Sequence, residues 1–480
     1  MKAKPQPTFK YALVSMIALF ALLVTGIVVL ELNLQLTMFI GLMAAIPIAM
    51  KIGFSYSEVE GFAFDMIRNA LGVIMILIAV GTLIGTWAAA GTISTLTSIG
   101  LQIIHPTYFL VTALILCALV SMATGTSWGT IGSVGIALIG VSEAFGIPAG
   151  MAAGAIISGA VFGDKLSPLS DSTNMAAAVS RVDLMAHVRH MLWTTVPALA
   201  GTAVLFTIVG FMQGTAGAAA GAGQLETIQS GIAAELQTGW VTLLPIAIVI
   251  TLLVMQKPAL PAIFVGALAG LAVAVFYQGF SFTDGIGFMW GGYVSETGIG
   301  IVDELLTTGG IVSMLNTVVL FLFALGFGGI LTHSGLLGTL LRPMFRKVDS
   351  VRKLIPATLA VTFVNCGVGA SGNFAYAVTG PAMAPLYERL SLDRANLSRT
   401  MEDAGAVSGV IIPWHITAVF AAGTLGVGQF EFIPFLFLSY LSPLVALIYG
   451  LTGFAIKKAD GEEDGDEDGG GLSAASAVSE

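Results

Sequence analysis

The chain has 480 residues, 56% of them hydrophobic and only 10% charged, with a net charge of −9 and a mean hydropathy of +0.93. Three soluble domains would fit the length, but apolar stretches of roughly 17–25 residues, enough to cross about 30 Å of hydrocarbon, recur from end to end. A soluble fold is therefore excluded; the lack of a basic patch argues against a nucleic-acid partner, and two cysteines (Cys117, Cys366), both in apolar stretches, make no disulfide framework.

In chain order, residues 1–10 are a short basic segment. The first apolar element, 11–31, is too long for a signal-peptide core and lacks a small-residue cleavage site, so it reads as a first span. Further elements follow at about 34–50, 70–92, 105–124, 127–145, 147–165 and 187–212. After a connecting segment at 213–238, a second set occupies about 239–256, 259–278, 310–333, 353–368, 373–387, 395–413 and 430–455. The tail, 457–480, holds "DGEEDGDED" at 460–468; its like charges and glycines predict disorder.

Each set has seven elements, with an amphipathic piece (55–69, 282–309) between the second and third. "GFSYSEVEGF" (53–62) matches "GFSFTDGIGF" (279–288), Gly41 pairs with Gly266, "GAVFG" (159–163) matches "GAVSG" (405–409), and Pro197 matches Pro443. Collinear matches indicate a duplication: 11–212 and 239–456 are two membrane repeats. An odd element count inverts the second repeat, the architecture of many secondary transporters. Charge fixes the orientation. With the N-terminus in the cytoplasm, all 19 bases fall on or toward the cytoplasmic side, while 213–238 and 279–309, outside, carry acids and no base. Both termini are then cytoplasmic.

Four segments interrupt the apolar elements: "TGTSWGT" (124–130), "GDKLSPLSDSTN" (163–174), "CGVGASGN" (366–373) and "SGVIIPWHIT" (408–417). Non-helical backbone at membrane depth survives where protein or a water-filled cavity satisfies it, and two breaks per repeat can converge near the midplane. Tight packing turns are the alternative for 124–130 and 366–373. Acids in such a place are candidates for ion binding. Asp164, Asp171 and Asp403 are the leading ion or proton carriers, with Glu402 about 100° round the helix from Asp403. Lys165 neutralises one of them or holds a substrate carboxylate. His415 either titrates, binds substrate or packs as a neutral ring.

At "FGDKLSPLSDSTN" with "HVRHMLWTTVPA", and again at "NLSRTMEDAG" with "IPW", the chain resembles the NhaC-type sodium/proton antiporter family over about residues 10–455. That family includes sodium-coupled malate/lactate exchangers and belongs to the ion transporter superfamily. The resemblance implies an all-α polytopic membrane protein of a prokaryotic cell membrane. It implies inverted repeats, each with a re-entrant hairpin (105–145, 353–387) and a broken helix, about ten spans besides the hairpins, and a homodimer. The family's first motif falls on Gly163, Asp164, Lys165, Ser167, Pro168, Ser170, Asp171, Thr173 and Asn174; the second falls on Glu402, Asp403, Pro413 and Trp414. His415 stands where the family commonly has Asn, Ser408 is the hydroxyl left between Asp403 and Pro413, and "VTGPAMAP" (378–385) departs from the usual basic form.

The expected function is Na⁺/H⁺ antiport by alternating access, with Na⁺ at Asp164, Asp171, Thr173 and Asn174. The substrate-facing groups would be Thr126, Ser127, Lys165, Ser167, Ser170, Thr173, Asn174, Ser371, Asn373, Ser408, Trp414 and His415. Sodium-coupled transport of an organic acid or amino acid on the same scaffold is the second reading, because the breaks offer more donors than a bare cation needs. A serine protease built on "GASG" (369–372) gives the duplication and the GDKLSPLSD run no role, so no enzyme is expected. No cofactor is expected beyond the transported ions.

Overall fold

The computed structural model describes residues 6–69, 71–217, 230–345 and 348–459, so part of the 213–238 connection and the acidic tail from 460 on lie outside it. Among the described residues it is helical throughout, with two isolated bridges, Tyr293 to Thr308 and Leu392 to Lys458, in place of a sheet. Among the described residues, seven single helices are long and apolar enough to cross a membrane, and three bent pairs raise the number to ten. Two of the seven, Pro106–Thr124 and Val351–Gly369, are the first arms of the expected hairpins. Their turns fall at Gly125 (φ 71°) and Ala370 (φ 52°).

Local chemistry sets the ends of these helices. Asn33 caps Leu34–Ile52 by accepting from the Leu36 N–H at 2.8 Å, and Gly53 (φ 117°) stops it in the left-handed region. Ser55 and Glu58 form a reciprocal capping box on the amphipathic helix Tyr56–Asn69. Beyond the apolar element at 70–92, the chain turns at Gly91 into Thr92–Ile103, a helix the apolar pattern does not separate; the pair bends by 71°. The segment read as one amphipathic piece at 282–309 is two short helices, Phe282–Gly291 and Gly300–Leu306.

The repeats interlock. Leu34–Ile52 packs on Gly310–His333, and its repeat mate Ala259–Phe276 packs on Leu71–Ala89. Asp171–Ser180 packs on Gly372–Arg389, and Ile416–Leu425 packs on the arm around Ile131–Gly135. Leu184–Gly217 and Phe437–Thr452, which carry the matched Pro197 and Pro443, pack on each other. This exchange of equivalent partners is the contact pattern of a pseudo-twofold pair. Ala149–Leu166 lies deep inside, with fifteen of its eighteen residues buried. Its Gly159 and Gly163 face Phe109–Thr124 so closely that a Cβ on either would come within 2.2 Å of the Leu114 or Ala118 carbonyl. Small residues four apart allow this approach.

Candidate functional site

Pro168 ends the first broken helix. It pushes Ser167 into extended backbone (φ −81°, ψ 125°), and Ala149–Leu166 stops there. The chain re-enters helix at Asp171–Ser180. The carbonyls freed by the break are satisfied from within the motif: Thr173 donates to the Lys165 carbonyl at 3.0 Å, and Asn174 donates to those of Pro168 and Ser170 at 2.9 and 2.8 Å. One turn before the break, Asp164 is half-buried and accepts from Ser127 Oγ at 2.7 Å, at the tip of the first hairpin. Ser167, Ser170 and Thr173 are buried, whereas Asp171 and Asn174 are exposed.

The second broken helix runs Ala395–Glu402, widens into a π turn at Asp403–Val407, tightens at Gly409–Ile411 and restarts at Ile416–Leu425. Ser408 donates to the Asp403 carbonyl at 2.7 Å and to the Ser439 carbonyl at 3.0 Å. The second bond has a covalent cause: Pro443 has no N–H to give Ser439, four residues earlier. The break is tied to the second hairpin by the Ile416 N–H on the Ala370 carbonyl (2.8 Å) and by Trp414 Nε1 on that of Gly367 (2.7 Å). His415 caps the restart, its Nδ1 accepting from the Thr417 N–H at 3.3 Å, so its Nε2 carries the ring proton.

The two broken helices meet at a buried ion pair. Lys165 and Asp403, 238 residues apart, are both fully buried and bonded. Asp403 Oδ1 also accepts from Thr194 at 3.1 Å and Ser442 at 2.6 Å, hydroxyls on the two proline-bearing helices. Glu402 points elsewhere, accepting from Tyr376 at 3.2 Å. Around this centre several fully buried polar atoms have no hydrogen-bond partner among the described residues: Asp403 Oδ2, Glu402 Oε1, His415 Nε2, Arg399 Nε and Nη2, and both ring nitrogens of His187. Orphaned groups of both signs at one crossing make a site that water or a polar cargo can complete.

A sequence profile of the Na⁺/H⁺ antiporter family matches residues 159–454. The chain is 40% identical to a malate-2H(+)/Na(+)-lactate antiporter of Bacillus subtilis, covering 94% of this chain and 96% of that one. It is 33% identical to the Na(+)/H(+) antiporter NhaC of Alkalihalophilus pseudofirmus (94% and 97% covered) and 35% identical to the arginine/ornithine antiporter ArcD of Halobacterium salinarum (96% of each). The chain belongs to the Na⁺/H⁺ antiporter family. It is a multi-pass membrane protein and a secondary transporter, not an enzyme.

For a transporter of this family the distribution of predicted groups is informative. Asp164, Lys165, Ser127, Glu402, Asp403 and Ser408 lie at or beside the crossing. Thr126 caps its own hairpin turn, accepting from the Gly129 N–H at 3.1 Å. Ser371 begins the second arm without a side-chain cap bond, and Asn373 is exposed. Trp128 stacks on Phe420 at 4.9 Å, joining the first hairpin to the helix after the second break. A separate cleft of about 570 Å³ is lined by Glu143, Met314, Thr317 and Thr424 among others, and not by the acids of the crossing.

Arg399, one of the bases assigned to or toward the cytoplasmic side, is fully buried, as are Lys165 and His187. Thr194, Ser442 and Tyr376 were not legible as site residues. Thr194 lies inside the "HVRHMLWTTVPA" motif, and Arg399 sits four residues before Asp403. Ser442 and Tyr376 carry no comparable signal.

Proposed function

We propose that this protein exchanges Na⁺ for H⁺ by alternating access, with the acids of the two broken helices as the competing sites. The observation that carries the reading is the buried crossing itself. Three acids (Asp164, Glu402, Asp403) gather there around one lysine that already serves Asp403. A buried carboxylate without a counterion is costly, so it takes up a proton or a cation. In this reading Na⁺ is the cargo at the first break, held by Asp164 with Asp171, Thr173 and Asn174. Thr173 and Asn174 donate inward to backbone carbonyls, which leaves side-chain oxygen lone pairs for a cation. Loss of the proton and entry of Na⁺ leave the site's charge unchanged.

A second reading, exchange of a small organic acid or amino acid coupled to Na⁺, is favoured by two buried cations, Lys165 and Arg399, and by the substrates named for the relatives in Bacillus subtilis and Halobacterium salinarum. Proteoliposome flux separates the two. A pH-sensitive dye is followed as Na⁺, Li⁺, K⁺, malate, lactate and arginine are added in turn. Proton movement driven by Na⁺ alone supports exchange of the bare cation; movement that needs a carboxylate or amino acid supports the second reading.

We further infer cytoplasmic N- and C-termini from the one-sided distribution of bases, a prokaryotic cell membrane as the location, and a homodimer, which cross-linking in native membranes tests directly.

A further inference from the structure

The three acids at the crossing differ in what neutralises them. Asp403 is bonded to Lys165 and to two hydroxyls. Asp164 is half-buried and receives the Ser127 hydroxyl. Glu402 is fully buried, has no ion-pair partner among the described residues, and accepts a single hydrogen bond, from Tyr376 at 3.2 Å, while its Oε1 has none. The direction of the Tyr376 proton is settled by the backbone. Its hydroxyl accepts from the Ala406 N–H at 2.7 Å, so its own hydrogen is left to point at Glu402 Oε2. Gly405 permits this arrangement, because a Cβ there would lie 2.3 Å from the Tyr376 ring.

The charged groups that act on Glu402 from its neighbours are Lys165 and Asp164 on the first broken helix and Asp403 on its own; the elements packed against it also carry Asp171, Arg189, Arg352, Lys353, Glu388 and Arg389. Cys366, Tyr376 and Tyr387 come from the second hairpin, His187 and His190 from Leu184–Gly217, and Arg399 and Asp403 from its own helix. Lys165 is engaged by Asp403, and Arg399 gives one guanidinium N–H to the Ala455 carbonyl at 2.8 Å. Ionising Glu402 therefore adds a third carboxylate to a centre whose lysine is already taken, in a place solvent does not reach.

We infer that Glu402 carries the exchanged proton on Oε1, with Tyr376 as its fixed hydrogen-bond donor, while Asp403 stays ionised as the counterion of Lys165. This rests on the exchange reading above and names the proton site within it. It reverses the expectation that Glu402, on a different helical face from Asp403, matters less.

The test uses the full-length protein in liposomes and reads two fluxes, Na⁺-driven proton movement and ²²Na⁺/Na⁺ counterflow, the second of which moves no net proton. Glu402→Gln is expected to keep counterflow and to lose proton movement by at least about tenfold. Proton movement at the normal rate overturns the assignment. So does loss of both fluxes in a folded protein, which would make Glu402 a Na⁺ ligand. If Glu402→Gln does not insert, Tyr376→Phe decides. Removing a donor from a carboxylate disfavours its charged form, so the pH profile of exchange should move alkaline by about one unit; an unmoved profile overturns the assignment. Wild-type protein that moves no protons on Na⁺ addition, yet carries out counterflow, overturns the exchange reading itself and this site with it.

Discussion

At the scale of residues, the Lys165–Asp403 pair decides how the crossing responds to substitution. Both groups are out of water, so removing one strands the other's charge, at a cost of about 3–5 kcal/mol, whereas replacing both with apolar residues of similar size avoids it. Lys165→Met or Asp403→Leu alone is expected to lower thermal stability in detergent sharply, and the double variant to regain most of the loss. Additive losses in the double variant would show that the pair is not coupled. The first break offers a second comparison. Asp164 sits against the hairpin tip, and Asp171 is exposed at the start of the next helix. Asp164→Asn is expected to abolish Na⁺-dependent flux, while Asp171→Asn raises the half-saturating Na⁺ concentration several-fold with a near-normal maximum. The reverse order of severity would move the cation site to the outer end of the break.

At the scale of elements, the last described residues form a strap across the start of the second broken helix. Asp393 and Lys457 form an ion pair, and the Asp393 N–H donates to the Lys457 carbonyl at 3.0 Å. Asn396 exchanges two bonds with the Lys457 backbone, at 2.6 and 3.0 Å, Arg399 reaches the Ala455 carbonyl, and the Ala459 N–H donates to that of Ser391 at 2.9 Å. Truncation after Ala459 removes the acidic tail and keeps every one of these bonds, so flux should be unchanged. Truncation after Gly453 removes them, and several net contributions of about 1 kcal/mol each should be lost, with faster amide exchange over 395–402. Equal behaviour of the two truncations would show the strap to be passive. Acid also tests it. Partial burial pushes the Asp393 carboxyl up, but the Ala395 N–H and the Lys457 ammonium outweigh it and hold the group below its ordinary range. A depressed carboxylate contributes stability above its unfolded value of about 3.9 and loses it as pH falls through the folded one. The strap is therefore expected to hold across the neutral range and to release only below about pH 4, read as amide exchange over 455–459.

At the scale of the whole molecule, the orientation proposed from the one-sided distribution of bases is open to direct labelling. The two native cysteines are fully buried and should stay silent. A cysteine introduced as Ala220→Cys, in the base-free connection between repeats, should react with an impermeant thiol reagent applied from outside intact cells. Reaction only from the cytoplasmic side would invert the topology and with it the side from which Na⁺ enters.

Much of this architecture is legible along the chain because it depends on local properties. Hydropathy marks the spans, and proline, glycine and hydroxyl runs mark the breaks at Ser167–Ser170 and Ile412–His415. Collinear matches such as Pro197 with Pro443 reveal the duplication. What escapes is what depends on a partner distant in sequence. A helical period says which face of Ala395–Glu402 holds Glu402, but not that Tyr376 stands opposite it, nor that Lys165 spends its charge on Asp403. Nor does it distinguish a surface arginine from Arg399, whose burial is imposed by the strap and the surrounding helices. Thr92–Ile103 was missed for the same reason: a 71° bend at Gly91 depends on what the helix packs against, not on its hydropathy. The sequence by itself determined the solvent, the long apolar spans, the repeat and where they break, since each is a property of neighbouring residues. Which acid is paired and which is left without a counterion was decided only when packing brought the two broken helices together, because electrostatic energy depends on distances in space that sequence spacing does not contain.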